Sequence, residues 1–283
     1  MSGFGVRTAT QDDLGMMLDW AAEEGWNPGL DDAGPLYAAD RGGYLIGCLD
    51  GEPLACISVV TYGADFAFLG FYICRPEFRG QGHGMAIWNA GIDHVGRRTI
   101  GLDGVVAQQS NYAKSGFKFA HNNIRYAGMF EADRPTDPHL IALEPSTDPG
   151  LVNAIVDYDR AFFPGPRDGF LRAWISQPRY TIAYIEDQVV RGYGTVRACR
   201  TGSKIGPLFA DNETIGAQLF DALAAHGQGG QIIVDVPEPN RVAIGMAERY
   251  GLEPVFETAR MYRGDDPNLP IERMVGITTF ELG

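Results

Sequence analysis

Residues 74 to 95 read CRPEFRGQGHGMAIWNAGIDHV. Gly80, Gly82 and Gly84, with Arg75 and Arg79, stand between the apolar run DFAFLGFYIC and a stretch that places Met85, Trp88, Ile92 and Val95 at helical spacing. A strand that ends in such a loop and then opens a helix presents several unpaired N–H groups in one direction, with the positive end of the helix dipole behind them. The pattern predicts an anion-binding turn. Glycines let the backbone approach a phosphate without interference from Cβ, and Arg79 adds a charge-assisted partner. A glycine loop that merely turns the chain is the alternative reading. The spacing is not GxxxxGK[ST], which excludes a nucleoside-triphosphate loop. Nor is it GxGxxG with an acid about 20 residues later, which disfavours a dinucleotide fold. A pyrophosphate held in some other arrangement is left.

Working outward, 283 residues with 45% hydrophobic content suit two domains and a sizeable core. No apolar run approaches the roughly 20 residues that cross a bilayer, and the amino end carries acids where a secretory leader would be basic, so a cytoplasmic location is expected. Cys48, Cys56, Cys74 and Cys199 form no CxxC pair and do not cluster with histidines, so neither a disulfide framework nor a metal site is expected. The net charge of −13 argues against nucleic acid or an anionic membrane as partner, and mildly favours a small cationic one.

The pattern of elements occurs twice. TQDDLGMMLDWAAEEGWN sets Leu14, Met17, Leu18 and Ala21 on one helical face behind a Thr or Asp cap. GYLIGCLDGEPLACISVVTYG then reads as a hairpin about Asp50-Gly51. The buried strand, the glycine loop and its helix follow, and the strand TIGLDGVVA with a short helix ending at SGF completes the unit. After the polar segment EADRPTDPH the order begins again: LIALEP, the helix DPGLVNAIVDYDRAFF, the hairpin YTIAYIEDQVVRGYGTVRACR, KIGPLFA, the helix TIGAQLFDALAAHG, QIIVDVP and the helix NRVAIGMAERYGL. Two α/β units are expected, residues 1–134 and 135–283.

The segment ICRPEFRGQGHG resembles the acyl-CoA signature of the GNAT superfamily of N-acetyltransferases: Arg or Gln, two residues, Gly, one residue, Gly or Ala. Here these are Arg79, Gly82 and Gly84, preceded by Pro76, Glu77 and Phe78. LDGVVAQQSNYAKSGF resembles that family's fifth strand and following helix, with Tyr112 ahead of Gly116 and Phe117, and EEGWNPG after the first helix resembles the N-terminal acetyltransferase half of two-domain members. The resemblance implies a tandem GNAT-like fold, each unit a mostly antiparallel mixed sheet flanked by helices with a splayed central strand pair. It implies acetyl-CoA as cosubstrate, held by Tyr72, Ile73 and Cys74 on the strand and by Arg79, Gly80, Gln81, Gly82, His83, Gly84 and Met85 in the turn. Tyr112 matches the acid that protonates the leaving thiolate, although a tyrosine there could equally serve by packing. Glu23, Glu24, Trp26 and Asn27 match the acceptor pocket.

This sequence also departs from the family pattern. No carboxylate stands on the strand before the glycine loop, so the base that deprotonates the amine is left among Asp65, Asp103, Glu23 and Glu24. The usual asparagine seven residues before the tyrosine is Val105, with Gln108, Gln109 or Asn111 as substitutes. In the second unit Asp211 and Glu213 occupy the phosphate turn and Ala247 stands where Tyr112 does, although Asn240 matches the asparagine missing from the first. The second unit is therefore expected to keep the fold without the chemistry. The functional expectation is acetyl transfer to a primary amine of a small molecule, such as an amino acid or polyamine. The alternatives are a non-catalytic acyl-CoA-binding or sensing protein, a protein lysine acetyltransferase, and a purely structural module that binds no CoA.

Overall fold

The computed structural model describes residues 3–130, 135–227 and 230–283, so the boundary expected near residue 134 lies outside them. The first series of elements is β1 (Phe4–Thr8), α1 (Gln11–Glu23), α2 (Ala33–Ala39), β2 (Tyr44–Leu49), β3 (Glu52–Tyr62), β4 (Phe66–Cys74), α3 (His83–Val95), β5 (Thr99–Val105), α4 (Gln109–Lys114) and β6 (Lys118–Met129). The second is β7 (Leu140–Ala142), α5 (Pro149–Asp159), α6 (Asp168–Trp174), β8 (Tyr180–Glu186), β9 (Val189–Ala198), β10 (Ser203–Ala210), α7 (Glu213–His226), β11 (Gln231–Pro237), α8 (Arg241–Arg249), β12 (Glu253–Arg263) and β13 (Met274–Gly276).

Local chemistry accounts for the predicted elements. Thr10 caps α1, and its main-chain N–H donates to Asp13 at 2.7 Å, so two groups at the helix start are satisfied reciprocally. The β2–β3 hairpin turns on Asp50 and Gly51, both at positive φ, the twist that suits a two-residue turn between right-handed strands. Asp187 and Gln188 do the same between β8 and β9.

The thirteen strands of the described residues join one mixed sheet in the order β1-β2-β3-β4-β5-β12-β6-β11-β10-β9-β8-β7, with β13 off that path against β10. Among the described residues only the central pairs β4–β5 and β10–β11 run parallel. The two halves have exchanged their last long strands: β12 of the second series completes the first half beside β5, and β6 of the first completes the second beside β11.

The same device fastens each exchanged strand. Arg260 of β12 lies opposite Asp103 of β5 and donates two hydrogen bonds of 2.7 Å to it. Arg125 of β6 lies opposite Asp235 of β11, with bonds of 2.6 and 2.9 Å. All four side chains are buried, so each charge depends on its partner for solvation.

Helices cover both faces. Against the first half, Ile87, Trp88 and Val95 of α3 pack on Ile57, Val59 and Leu69. On the opposite face Leu14, Met17 and Leu36 of α1 and α2 meet Ile46, Val60 and Phe68, and Phe170 and Trp174 of α6 join this cluster from the second half. In the second half α7 and α8 share one apolar cluster and α5 contributes to another. No helix among the described residues is long and apolar enough to cross a membrane.

Candidate active site

The central strands of the first half part company. β4 and β5 are paired from Phe66–Thr99 to Leu69–Leu102, and the β5-facing edge of β4 from Gly70 to Cys74 has no strand partner. The split begins at a bulge where Phe71 takes a φ of 45°, a left-handed conformation that costs a bulky residue roughly 1–3 kcal/mol. Burial of the Phe71 ring in the core offsets that cost. A cavity of about 710 Å³ occupies the split, within the usual range for small-molecule sites.

One end of the cavity is the glycine turn. Gly80 and Gly82 have φ of 75° and 90°, and a Cβ on either would meet open space, so their conformation rather than crowding requires glycine. A Cβ on Gly84 would stand 3.0 Å from the Tyr72 hydroxyl. Gly82 precedes α3 without any side-chain cap, which leaves the helix's first N–H groups to the cavity side or to solvent. Arg79 donates from Nε to the Cys74 carbonyl at 2.7 Å and pairs with Glu24 through its guanidinium. An unpaired strand edge, an uncapped helix start and open space at the glycines fit the arm and the pyrophosphate of an acyl-CoA.

Tyr112 of α4 lies in the wall. Its ring stacks on Trp88 with centroids 5.6 Å apart and lies so close to β5 that a Cβ on Gly104 would stand 2.2 Å from it. Burial, with a smaller contribution from nearby Tyr72, pushes its phenol up to about 12. Its hydroxyl makes no hydrogen bond among the described residues and is therefore free to donate.

The structure brings together most of the expected residues. Tyr72, Ile73, Cys74, Arg79, Gly80, Gly82, Gly84, Met85, Tyr112, Glu24 and Trp26 line the cavity. The side chain of Gln81 instead bonds the Glu77 carbonyl, and His83 stacks on Phe4, so only their main chains face the turn's task. Glu23 does not line the cavity. Asn27 points at the second half, where its amide exchanges hydrogen bonds with the main chain of Thr201. Val105, Gln108 and Asn111 line the cavity, with Asn111 donating to Gln108 at 2.7 Å; Gln109 does not.

The candidate bases separate. Asp65 is an exposed turn residue at the far end of β4 from the glycine loop. Asp103 lines the cavity, but both its oxygens are engaged by Arg260, and Asn123 donates to it as well at 2.7 Å. Three of its roughly four acceptor positions are thus already taken by these donors, which marks it as a structural acid.

Sequence reasoning missed the contribution of the second half. Phe256 and Thr258 of β12 and Phe280 and Glu281 of the segment after β13 line the same cavity. Residues 277–283 are buried throughout and run between the halves, with Arg167 donating to the Gly283 carbonyl at 3.2 Å. No local pattern marks these residues as lining a site in another domain.

The equivalent split of the second half is filled. β10 and β11 pair only from Ser203–Ile232 to Ile205–Val234, after which β13 pairs with β10 and the Ile277 N–H donates to the Asp235 carbonyl at 2.9 Å. Asn212 caps α7 through Ile215. Asp211 is held by Arg273 at 2.5 Å and Glu213 by Arg249 at 2.6 Å. Arginines thus largely neutralise both acids, and the filled wedge is the stronger obstacle to a phosphate here.

A splayed parallel pair with a glycine turn at its mouth, repeated once in filled form, defines a class. Residues 12–117 match the acetyltransferase (GNAT) family and residues 155–276 match an acetyltransferase (GNAT) domain. The chain belongs to the GNAT superfamily, as an acyltransferase with two tandem GNAT domains, and enzymes of this family use acyl-CoA. Among individual proteins, it is 30% identical over 281 residues to holothin acyltransferase of a Pseudoalteromonas species, covering 98% of this chain and 94% of that one. A putative acetyltransferase from Pyrococcus horikoshii has the same fold, with a TM-score of 0.83 at 21% identity over 100% of this chain and 97% of that one. A tandem GNAT protein from the clavulanic acid biosynthesis pathway gives a TM-score of 0.65 at 14% identity, covering 93% of this chain and 100% of that one.

Proposed function

We propose that the protein moves an acetyl group from acetyl-CoA to the primary amine of a small molecule, such as an amino acid or polyamine, by direct attack. One observation carries this reading: a single cavity is lined by the glycine turn, by Tyr112 and by Trp26, Phe256 and Phe280 together. Gly80, Gly82, Gly84 and Arg79 hold the pyrophosphate, and the free edge of β4 from Gly70 to Cys74 bonds the pantetheine arm as a missing strand would. Tyr112 is protonated at any working pH, since burial holds it near 12, and it donates to the sulfur as the thioester opens.

A small acceptor is favoured over a protein lysine because the loop bearing Trp26 and Asn27 is tied to the second half, by Asn27 to Thr201 and by the Leu30 N–H to Ala198. The buried segment 277–283 walls the same cavity. That a relative spanning nearly the whole chain is named for acyl transfer to holothin supports the same reading. The test is acetyl-CoA-dependent thiol release across a panel of amines. Acceptor-dependent release is the expected result. Tight CoA binding with no release for any amine would favour the acyl-CoA-binding or sensing alternative.

A further inference from the structure

We infer that Glu281, carried into the first half's site by the buried segment after β13, is the general base that takes the proton from the acceptor ammonium. The assignment rests on the acyl-transfer reading above and supplies the group that β4 lacks.

Glu281 lines the cavity and is only 5% exposed. Its Oε2 accepts from the Thr279 hydroxyl, while Oε1 is buried and has no hydrogen-bond partner among the described residues. A buried carboxylate oxygen left without a donor is costly and calls for an explanation. Structural acids elsewhere in this protein are treated differently: Asp32, Asp103, Asp159 and Asp235 each sit against an arginine at 2.6 to 3.1 Å. Position supports a catalytic role too. The chain at Glu281 presses on β4 so closely that a Cβ on Gly70 would stand 2.2 Å from the Glu281 carbonyl oxygen. Gly70 is where β4 leaves β5, one residue before the strained Phe71, so the main chain at Glu281 stands beside the start of the split in which the thioester would lie.

The charged groups facing Glu281 are Lys204 of β10, Arg125 of β6, Arg197 of β9 and Asp32 of the loop before α2. Burial raises the Glu281 carboxyl, and Lys204 and Arg125 only partly pull it back. A raised carboxyl is a stronger base for an ammonium than an ordinary surface glutamate. In the step, Glu281 Oε1 takes one proton from the ammonium, directly or through one water, and later passes it to solvent. The freed nitrogen lone pair forms the C–N bond and the C–S bond breaks with its electron pair on sulfur. Tyr112 gives its proton to that sulfur and is reprotonated by the proton the nitrogen loses as the amide forms.

The experiment uses the full chain, comparing kcat at saturating acetyl-CoA for an alkylamine of pKa about 10 with that for a weakly basic aromatic amine that is already neutral. Glu281→Gln should lower kcat for the alkylamine by about 10²-fold or more, remove the acid limb of its pH profile, and slow the aromatic amine far less. CoA affinity should hold. Since Glu281 is raised, its ionisation costs stability as pH rises, so Glu281→Gln should melt no lower than wild type at neutral pH. As a second variant, Thr279→Val removes a donor to the carboxylate and should move the acid limb to higher pH. Equal slowing of both amines, a rate above a third of wild type with the alkylamine, or an unmoved acid limb in Thr279→Val would overturn the assignment of Glu281 alone. A wild type that releases no thiol with any amine would overturn the acyl-transfer reading and this assignment with it.

Discussion

Replacing Tyr112 by Phe removes one oxygen and leaves everything else that the residue does. The ring stays stacked on Trp88 and seated on Gly104, and the hydroxyl gives up no hydrogen bond to the protein, so the fold should lose no more than about 0.5 kcal/mol. Acetyl-CoA affinity should likewise hold, because the turn and the edge of β4 are untouched. Turnover is another matter. A general acid is worth about 10²- to 10⁴-fold, or about 2.7 to 5.4 kcal/mol of barrier, which is several times the structural cost. The assay is kcat by thiol release at saturating amine, with acetyl-CoA affinity by calorimetry and thermal unfolding on the same preparations. Because Tyr112 is raised to about 12, the wild-type profile should show no basic limb from it below about pH 11. A thioester whose thiol is more acidic should suffer a smaller defect, since its departure needs less protonation. Turnover above a third of wild type by Tyr112→Phe, with affinity unchanged, would make Tyr112 a packing residue and refute the reasoning.

The remaining expectations concern the turn, the second half and the exchanged strands. Gly82→Val forces a β-branched residue into φ near 90° at the mouth of α3, so acetyl-CoA affinity should fall below detection by calorimetry while circular dichroism stays native. Calorimetry of the wild type should give one CoA per chain, because β13 and Ile277 fill the second wedge; a stoichiometry of two would show that the filler can be displaced. Arg125→Met should cost about 3–5 kcal/mol in urea unfolding by stranding Asp235, whereas Arg125→Met/Asp235→Leu should recover much of that. Strictly additive losses would mean that the pair does not fasten β6 to β11.

Much of the site was legible in the sequence because its chemistry is local. The glycine turn needs residues that tolerate positive φ next to a helix start, and those letters are adjacent in the chain. Tyr112 stood out through the family resemblance that its spacing to Gly116 and Phe117 carries, although its partner Gly104 read only as part of a strand. The two long strands β6 and β12 were not legible. They carry Asn123, Arg125 and Arg260 into the middle of the sheet, so the alternation that marks a half-buried strand is broken by buried polar residues. The two arginines are buried because Asp235 and Asp103 wait for them on strands more than a hundred residues away, and Asn123 donates to the same Asp103.

The sequence by itself therefore determined the repeated order of helices and strands, the glycine turn that opens α3 and the loss of that turn in the second half. Hydrophobic period, turn residues and capping act over a few positions and can be read there. Tertiary structure alone decided that the halves trade their last strands, that β13 stands in the second split, and that Trp26, Phe256, Phe280 and Glu281 meet at one cavity. Such choices depend on which distant charge is left unpaired and which sheet edge is left open. Both are properties of the assembled sheet, and no short stretch of chain carries them.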